Sequence, residues 1–147
     1  MTTPFLSVTG LGVTFPTEDG LLKAVDGVSF TVAAGRTLAI VGESGSGKSV
    51  TSQAIMGLYD RKAVEVVGEV ILDGDEMVNA SDDELRAVRG KKIAMIFQDP
   101  LSSLHPFYRI GDQLVEAVLA HRDIPKARAA DRAAEMLDLV GIPDARA

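Results

Sequence analysis

The feature that most constrains this chain is a glycine- and serine-rich segment in its first half. Residues 42–49 read Gly-Glu-Ser-Gly-Ser-Gly-Lys-Ser and match the phosphate-loop pattern G-x-x-x-x-G-K-[ST]. That pattern requires a buried strand before the loop and a helix after it. Residues 37–41 form a short, almost wholly apolar run typical of a strand buried on both faces, and residues 48–58 have helical apolar spacing. The sequence therefore predicts a strand–loop–helix unit that binds phosphate.

Each part of the loop has a predicted task at a bound triphosphate. Side chains on the loop would block the inward-facing backbone N–H groups, which favours glycine at Gly45 and Gly47. The start of the following helix offers free N–H groups and a positive dipole end. Lys48 is predicted to contact the β- and γ-phosphates, and the Ser49 hydroxyl to complete a Mg²⁺ shell. The predicted nucleotide-binding residues here are Gly42, Ser44, Gly45, Ser46, Gly47, Lys48, Ser49 and Val50. The alternative, a glycine–serine turn without a ligand, is disfavoured by the flanking strand and helix.

Composition excludes several other kinds of site. The chain contains no cysteine, so disulfides, thiolate metal sites and cysteine nucleophiles are excluded. The net charge of −6 predicts no general affinity for nucleic acid. No apolar run reaches the roughly 18 residues of a membrane helix, and residues 1–10 do not resemble a signal peptide. We therefore expect no nucleic-acid partner and no direct membrane insertion.

The order of predicted elements is mixed and indicates an α/β fold. Ser81 and Glu84 have the spacing of a capping box, which predicts a helix start. Asp73 and Gly74 favour a hairpin turn rather than a metal site, although Asp75 lies nearby. Gly141 is predicted to end the last helix. The pattern predicts strands at 6–15, 24–32, 37–41, 69–72 and 93–97, and helices at 48–58, 81–89, 110–121 and 126–140.

Two longer segments carry a resemblance to a known family. Residues 41–50 read VGESGSGKSV and resemble the Walker A motif of ABC ATPases. Residues 95–106 read MIFQDPLSSLHP and resemble the Q-loop segment of the dipeptide, oligopeptide and nickel importer ATPases. Residues 24–30 and 54–58 resemble the segments that flank the P-loop in those subunits. The likeness extends from about residue 6 to about residue 143.

This resemblance implies a P-loop NTPase fold of the ABC type. The expected arrangement is an antiparallel β portion at residues 1–36, a P-loop core up to the Q-loop at 37–98, and the start of a helical subdomain at 99–147. The sheet is expected to be incomplete.

The resemblance also implies roles for two residues outside the P-loop. Phe15 occupies the position of an aromatic residue that stacks on adenine. Gln98 is expected to contact Mg²⁺ or the attacking water and to sense a transmembrane partner. The predicted catalytic residues are therefore Lys48 and Gln98. On spacing alone, Gln98 is a solvated loop residue and Phe15 a core residue. His105 and His121 match no family motif and are interpreted as surface or capping residues.

The function implied by the resemblance is that of the ATP-binding subunit of an ABC importer for peptides or a related small solute. Its expected cofactors are ATP and Mg²⁺. Its expected partners are transmembrane permease subunits and a second nucleotide-binding subunit, at the cytoplasmic face of the membrane. Three alternatives stay open: an inert or binding-only truncated fragment, a non-transport ABC ATPase, and a small-molecule kinase. The Phe97-Gln98-Asp99-Pro100 segment disfavours the kinase, and the absence of heptads and cysteines disfavours the non-transport ATPase.

Three motifs of the family do not occur in these 147 residues. There is no Leu-Ser-Gly-Gly-Gln signature, no apolar strand ending in Asp-Glu after the P-loop, and no switch histidine. The nearest candidate for the strand, residues 71–74, has glycine where the catalytic base belongs. We expect the strand at 37–41 to be left uncovered, with unpaired edge groups and marginal stability.

The missing base predicts that this chain does not hydrolyse ATP at a useful rate. Steady-state phosphate release with Mg²⁺ should equal that of the Lys48→Ala variant. Magnesium-dependent turnover that the variant abolishes would contradict this expectation.

Overall fold

The computed structural model describes residues 4–99 and 103–143. They belong to two compact units that divide between Ala94 and Met95. Pro100, Leu101 and Ser102, which belong to the predicted Q-loop segment, lie outside the described residues, as do residues 144–147.

The first unit is built on a four-stranded sheet of order β2-β1-β3-β4. Strands β1 (Leu6–Thr17) and β2 (Gly20–Val32) form an antiparallel hairpin. Strand β3 (Glu65–Leu72) pairs antiparallel with the other side of β1. The short β4 (Asp75–Glu76) returns along β3. The turn between them has positive φ angles at Asp73 and Gly74, as the predicted hairpin turn requires.

Two short helices in this unit each present apolar residues to the core. Helix α1 (Lys48–Ile55) buries Ala54 and Ile55, and helix α2 (Asp82–Val88) buries Leu85 and Val88. The predicted capping box is present at the start of α2, since the Ser81 and Glu84 side chains each bond the other residue's backbone. The largest fully buried side chains are Met77, which follows β4, and four residues of the central strands, Val8, Leu11, Val13 and Val70.

The strands are longer than predicted. Strand β3 begins at Glu65, four residues before the predicted start at Glu69. Gly68 has φ +99 in the middle of this strand, and a Cβ there would lie 2.5 Å from the Gly10 carbonyl oxygen. A glycine at this close approach interrupts the alternation of apolar and polar side chains that marks a strand in the sequence.

The predicted strands at 37–41 and 93–97 are not present, which corrects two expectations from the sequence. Neither segment joins the sheet, whose strand pairs are all antiparallel. Among the described residues, parallel pairing is limited to one isolated bridge between Arg89 and Ile93. Val41 is 88% exposed and Ile96 is 98% exposed. Apolar, β-branched residues make a segment suitable for a buried strand, but a ladder forms only where a neighbouring strand supplies hydrogen-bond partners. The exposure of Val41 agrees with the expectation of an incomplete sheet.

The second unit contains a helical hairpin. Helix α3 (Ile110–Leu119) packs its buried Val115 against the alanine-rich α4 (Lys126–Leu139). Ala129 and Ala133 of α4 are buried there, and small side chains let the two helices approach closely. Gly141 has φ +82 beyond the end of α4, as the predicted helix stop requires.

Replacing Gly68 tests the β1–β3 contact. Gly68→Ala combines a left-handed backbone with a collision against backbone atoms, so we expect a loss of about 3 kcal/mol or more in the free energy of unfolding. Gly27→Ala is the matched control, because Gly27 also has positive φ but a Cβ there meets nothing within 4 Å. Its expected loss is about 1–2 kcal/mol. Both free energies of unfolding are measured by urea titration. Equal losses in the two variants would contradict the close-approach argument.

The capping box predicts a pH dependence of stability. The Ser81 backbone N–H and hydroxyl donate to the Glu84 carboxylate, both at 2.7 Å, and hold the pKa of Glu84 below its usual 4.5. Because the folded-state pKa is the lower one, this stabilisation is complete above the unfolded pKa and is lost as pH falls through the folded pKa. Glu84→Gln should flatten the pH profile of the unfolding free energy between about pH 6 and about pH 3. An unchanged pH profile in Glu84→Gln would contradict this role of the capping box.

Candidate phosphate-binding site

The loop before α1 presents backbone donors that no side chain satisfies. Gly45 and Gly47 have φ angles of +81° and +84°, so the chain turns through two left-handed residues into the helix. The first helical hydrogen bond runs from the Thr51 N–H to the Gly47 carbonyl at 2.8 Å. The N–H groups of the residues between them precede the helical ladder, and α1 has no side-chain cap and no acidic residue in its first turn. This end of the helix is therefore suited to an anion.

One of the loop glycines is required by packing inside the protein. A Cβ at Gly47 would lie 2.5 Å from the Ala24 carbonyl oxygen of β2, whereas one at Gly42 would lie 2.6 Å from the Oγ of the exposed Ser46 side chain, which can rotate away. At Gly45 a Cβ would meet nothing within 4 Å, so its positive φ is the reason for glycine there. Glycine is thus required at position 47 by the contact with the sheet, in addition to the predicted close approach of a phosphate to the loop backbone.

The Lys48 ammonium folds back onto its own loop. Its Nζ donates to the carbonyl oxygens of Gly42 at 2.8 Å and Glu43 at 2.6 Å, and to the Ser46 Oγ at 3.1 Å. These three acceptors match the three donors of an ammonium group. The charge is therefore held over the loop by neutral oxygens, which a more strongly attracting phosphate oxygen can replace.

Ser49 and the remaining loop residues are accessible. Ser49 and Ser44 are exposed, and Val50 is half-buried against the core of the first unit. Among residues 4–99 and 103–143, no group of three or more histidine, aspartate or glutamate side chains is placed to hold a metal ion. A Mg²⁺ ion here would take its protein ligand from the Ser49 hydroxyl and its other ligands from phosphates and water, which is the coordination Mg²⁺ commonly adopts at nucleotides.

Phe15 lies on β1 and is packed at the edge of the core. Its ring meets that of Tyr59 edge-on, with centroids 5.3 Å apart and planes at 84°. The Tyr59 hydroxyl donates to the Gln53 Oε1 at 2.6 Å, and burial raises the pKa of Tyr59. Nothing in the sequence pattern singles out Tyr59 as the partner of Phe15. The predicted stacking of Phe15 on adenine stays a prediction.

Gln98 belongs to the second unit, where it is exposed, and its predicted role at Mg²⁺ or water stays a prediction. The exposed His105 lies beside the rings of Phe107 and Tyr108, at 5.7 and 4.9 Å. His121 is half-buried just after α3.

The acidic turn between β3 and β4 pairs with a lysine. Lys92 Nζ lies 2.7 Å from Asp75 Oδ2 and 3.3 Å from Asp73 Oδ2. The hydrogen bond to Asp75 is the main cause that raises the pKa of Lys92. Both carboxylates therefore have a protein cation as partner, in agreement with a structural turn.

In the part of the chain that the structure describes, no helix combines the length and the apolar character that crossing a membrane requires.

Comparison with curated proteins identifies similar ATP-binding proteins of transport systems. The chain is 49% identical over 140 residues to the dipeptide transport ATP-binding protein DppD of Bacillus subtilis, covering 95% of this chain and 42% of that protein. It is 45% identical over 141 residues to the oligopeptide transport ATP-binding protein OppD of Escherichia coli, covering 96% of this chain and 42% of that protein. The chain thus spans less than half the length of each of these relatives.

Solved structures give the same fold. A dimeric bacterial ABC transporter cassette, MJ0796, matches with a TM-score of 0.77 at 25% identity, covering 91% of this chain and 56% of the cassette chain. The same cassette in a post-hydrolysis state bound to ADP and Pi matches with a TM-score of 0.74 at 23% identity, over the same shares.

The family model described as "ABC transporter" matches residues 25–147, a range that contains the whole phosphate loop and both helices of the second unit. On this match and on the fold, the chain belongs to the ABC transporter family.

Proposed function

We propose that this chain is part of the ATP-binding subunit of an ABC importer, which couples ATP binding and hydrolysis to uptake of peptides or a related small solute. The observation that carries the proposal is the start of α1, where the N–H groups of residues 48–50 precede the helical ladder without a side-chain cap, next to the Lys48 ammonium, in a chain of this family.

The roles of the loop residues follow from what each can donate. The N–H groups at Gly45 and Gly47 and at the helix start bind phosphate oxygens, since backbone donors in a left-handed turn form an anion-binding concavity. Lys48 exchanges its loop acceptors for the β- and γ-phosphates, and Ser49 ligates the Mg²⁺ that accompanies the nucleotide.

We propose roles for two further residues, as the resemblance to the family implies. Phe15 stacks on adenine, and its edge-on contact with Tyr59 supports this role because it fixes the ring plane. Gln98 holds the attacking water or Mg²⁺, since its amide both donates and accepts hydrogen bonds. We also propose a division of the chain into three parts. Residues 1–36 form the antiparallel β portion, residues 37–98 the P-loop core up to the Q-loop, and residues 99–147 the start of a helical subdomain.

The proposed partners are transmembrane permease subunits and a second nucleotide-binding subunit, at the cytoplasmic face of the membrane. The names of these relatives, dipeptide and oligopeptide transport ATP-binding proteins, support a peptide as the solute. The dimeric state of the matching cassette supports a second nucleotide-binding subunit.

Binding of Mg·ATP tests the proposal directly. Calorimetric titration should show saturable binding by the parent chain and an affinity at least about tenfold weaker in Lys48→Ala, because a charge-assisted contact to phosphate is removed. Lys91→Ala is the matched control, since it removes the same charge from an exposed position outside the loop, and it should bind like the parent.

The magnesium role is tested in the same titration. Ser49→Ala should reduce the gain in affinity that Mg²⁺ gives over EDTA, while binding in EDTA stays close to that of the parent. The absence of binding by the parent, or equal binding by Lys48→Ala, would refute the proposed function.

A further inference from the structure

The geometry points to Arg89 as a positioning residue for the phosphate loop, acting on the opposite end of the helix that the loop begins. This inference rests on the proposed function, because it assumes that nucleotide binds at the start of α1. Arg89 lies just after α2, is half-buried, and has no part in the phosphate-loop motif.

Helix α1 needs support from outside itself. It has eight residues, and isolated helices shorter than about 12–15 residues are marginal in water. Its sequence includes the β-branched Val50 and Thr51 and two serines, which are weak helix formers. No basic residue lies in its last turn, so its own sequence does not offset the negative end of the helix dipole.

Arg89 supplies that support. Its Nε donates to the Met56 carbonyl at 2.8 Å, and its Nη2 donates to the Gly57 carbonyl. These carbonyls lie at the end of α1, where the helix has no N–H groups left to satisfy them. One planar guanidinium therefore binds two neighbouring carbonyls and places a positive charge at the negative end of the helix.

The surrounding packing holds Arg89 in this place. Gly57 has φ +65, and a Cβ there would lie 2.9 Å from Leu85 Cδ1 and 3.0 Å from Arg89 Nη2. Leu85 is 2% exposed and Val88 8% exposed, so α2 is anchored in the core next to Arg89. Glycine at position 57 thus permits the close approach through which α2 fixes the end of α1.

The two ends of α1 are mechanically connected because the helix is short. Eight residues span about 12 Å, so the N–H groups and Lys48 lie about two turns from the carbonyls that Arg89 binds. Losing both bonds frees the last turn, and a helix that frays over one turn of two no longer holds its first turn in one orientation. Phosphate binding depends on that orientation, because the loop donors converge on one set of oxygens.

The experiment compares Mg·ATP affinity by calorimetry in the parent, Arg89→Met, Arg89→Lys and the control Arg86→Met. Methionine removes both donors and the charge, whereas lysine keeps the charge but loses the two-pronged geometry. Arg86 is on α2 as well, but it is exposed and pairs only with Asp83 among the described contacts. Each variant is measured at a temperature where circular dichroism shows it folded.

We expect an affinity about tenfold weaker in Arg89→Met and about threefold weaker in Arg89→Lys, at unchanged stoichiometry. Arg86→Met should stay within about twofold of the parent. Amide hydrogen exchange at residues 55–58 should be faster in Arg89→Met than in the parent, even without nucleotide.

A purely structural role would give a different pattern. It would lower the thermal midpoint or the binding stoichiometry of Arg89→Met while the affinity of the folded protein stayed that of the parent, and that result overturns the inference. Should Arg89→Met fail to fold, the Arg89→Lys affinity decides, and parent-like binding there overturns the inference too. Absence of binding by the parent instead refutes the proposed function and, with it, this inference.

Discussion

The close approach of Gly47 to the Ala24 carbonyl of β2 determines where α1 can begin. A side chain at position 47 would collide with that oxygen, so only glycine lets the loop lie against the strand. The positive φ of Gly47 then directs the chain into the helix, and the helix N-terminus faces the loop that precedes it. The candidate site is thus fixed to the β1–β2 hairpin, which also carries Phe15.

The Lys48 ammonium is satisfied by acceptors of its own loop. Lys48 uses its three donors on Gly42, Glu43 and Ser46, so the loop keeps its shape around the ammonium group. At the other end of α1, Arg89 binds the Met56 and Gly57 carbonyls. A helix of eight residues with weak intrinsic propensity is therefore defined by contacts at both of its ends, and its orientation is a property of the unit rather than of its own sequence.

Sequence patterns predicted strands and turns correctly where the segment that pairs with them is near in the chain. The β1–β2 hairpin and the β3–β4 turn join neighbouring segments, and the Ser81–Glu84 capping box is closed within one turn. The same kind of pattern failed at 37–41 and 93–97, because an apolar run states only that a segment is suited to burial between strands. Val41 and Ile96 are exposed in a structure in which no other strand pairs beside them within the described residues.

The sequence by itself predicted the phosphate loop, since its chemistry depends on backbone donors, glycines and one lysine at fixed spacing, and all of these are local. It also determined the caps and the tight turns, for the same reason. Only the tertiary structure decided that β3 runs from Glu65 through Gly68 beside β1, that Tyr59 meets Phe15, and that Arg89 reaches α1. Residues 15 and 59, or 57 and 89, are brought together by the packing of separate elements, and contacts between segments distant in the chain leave no periodic signal in either segment.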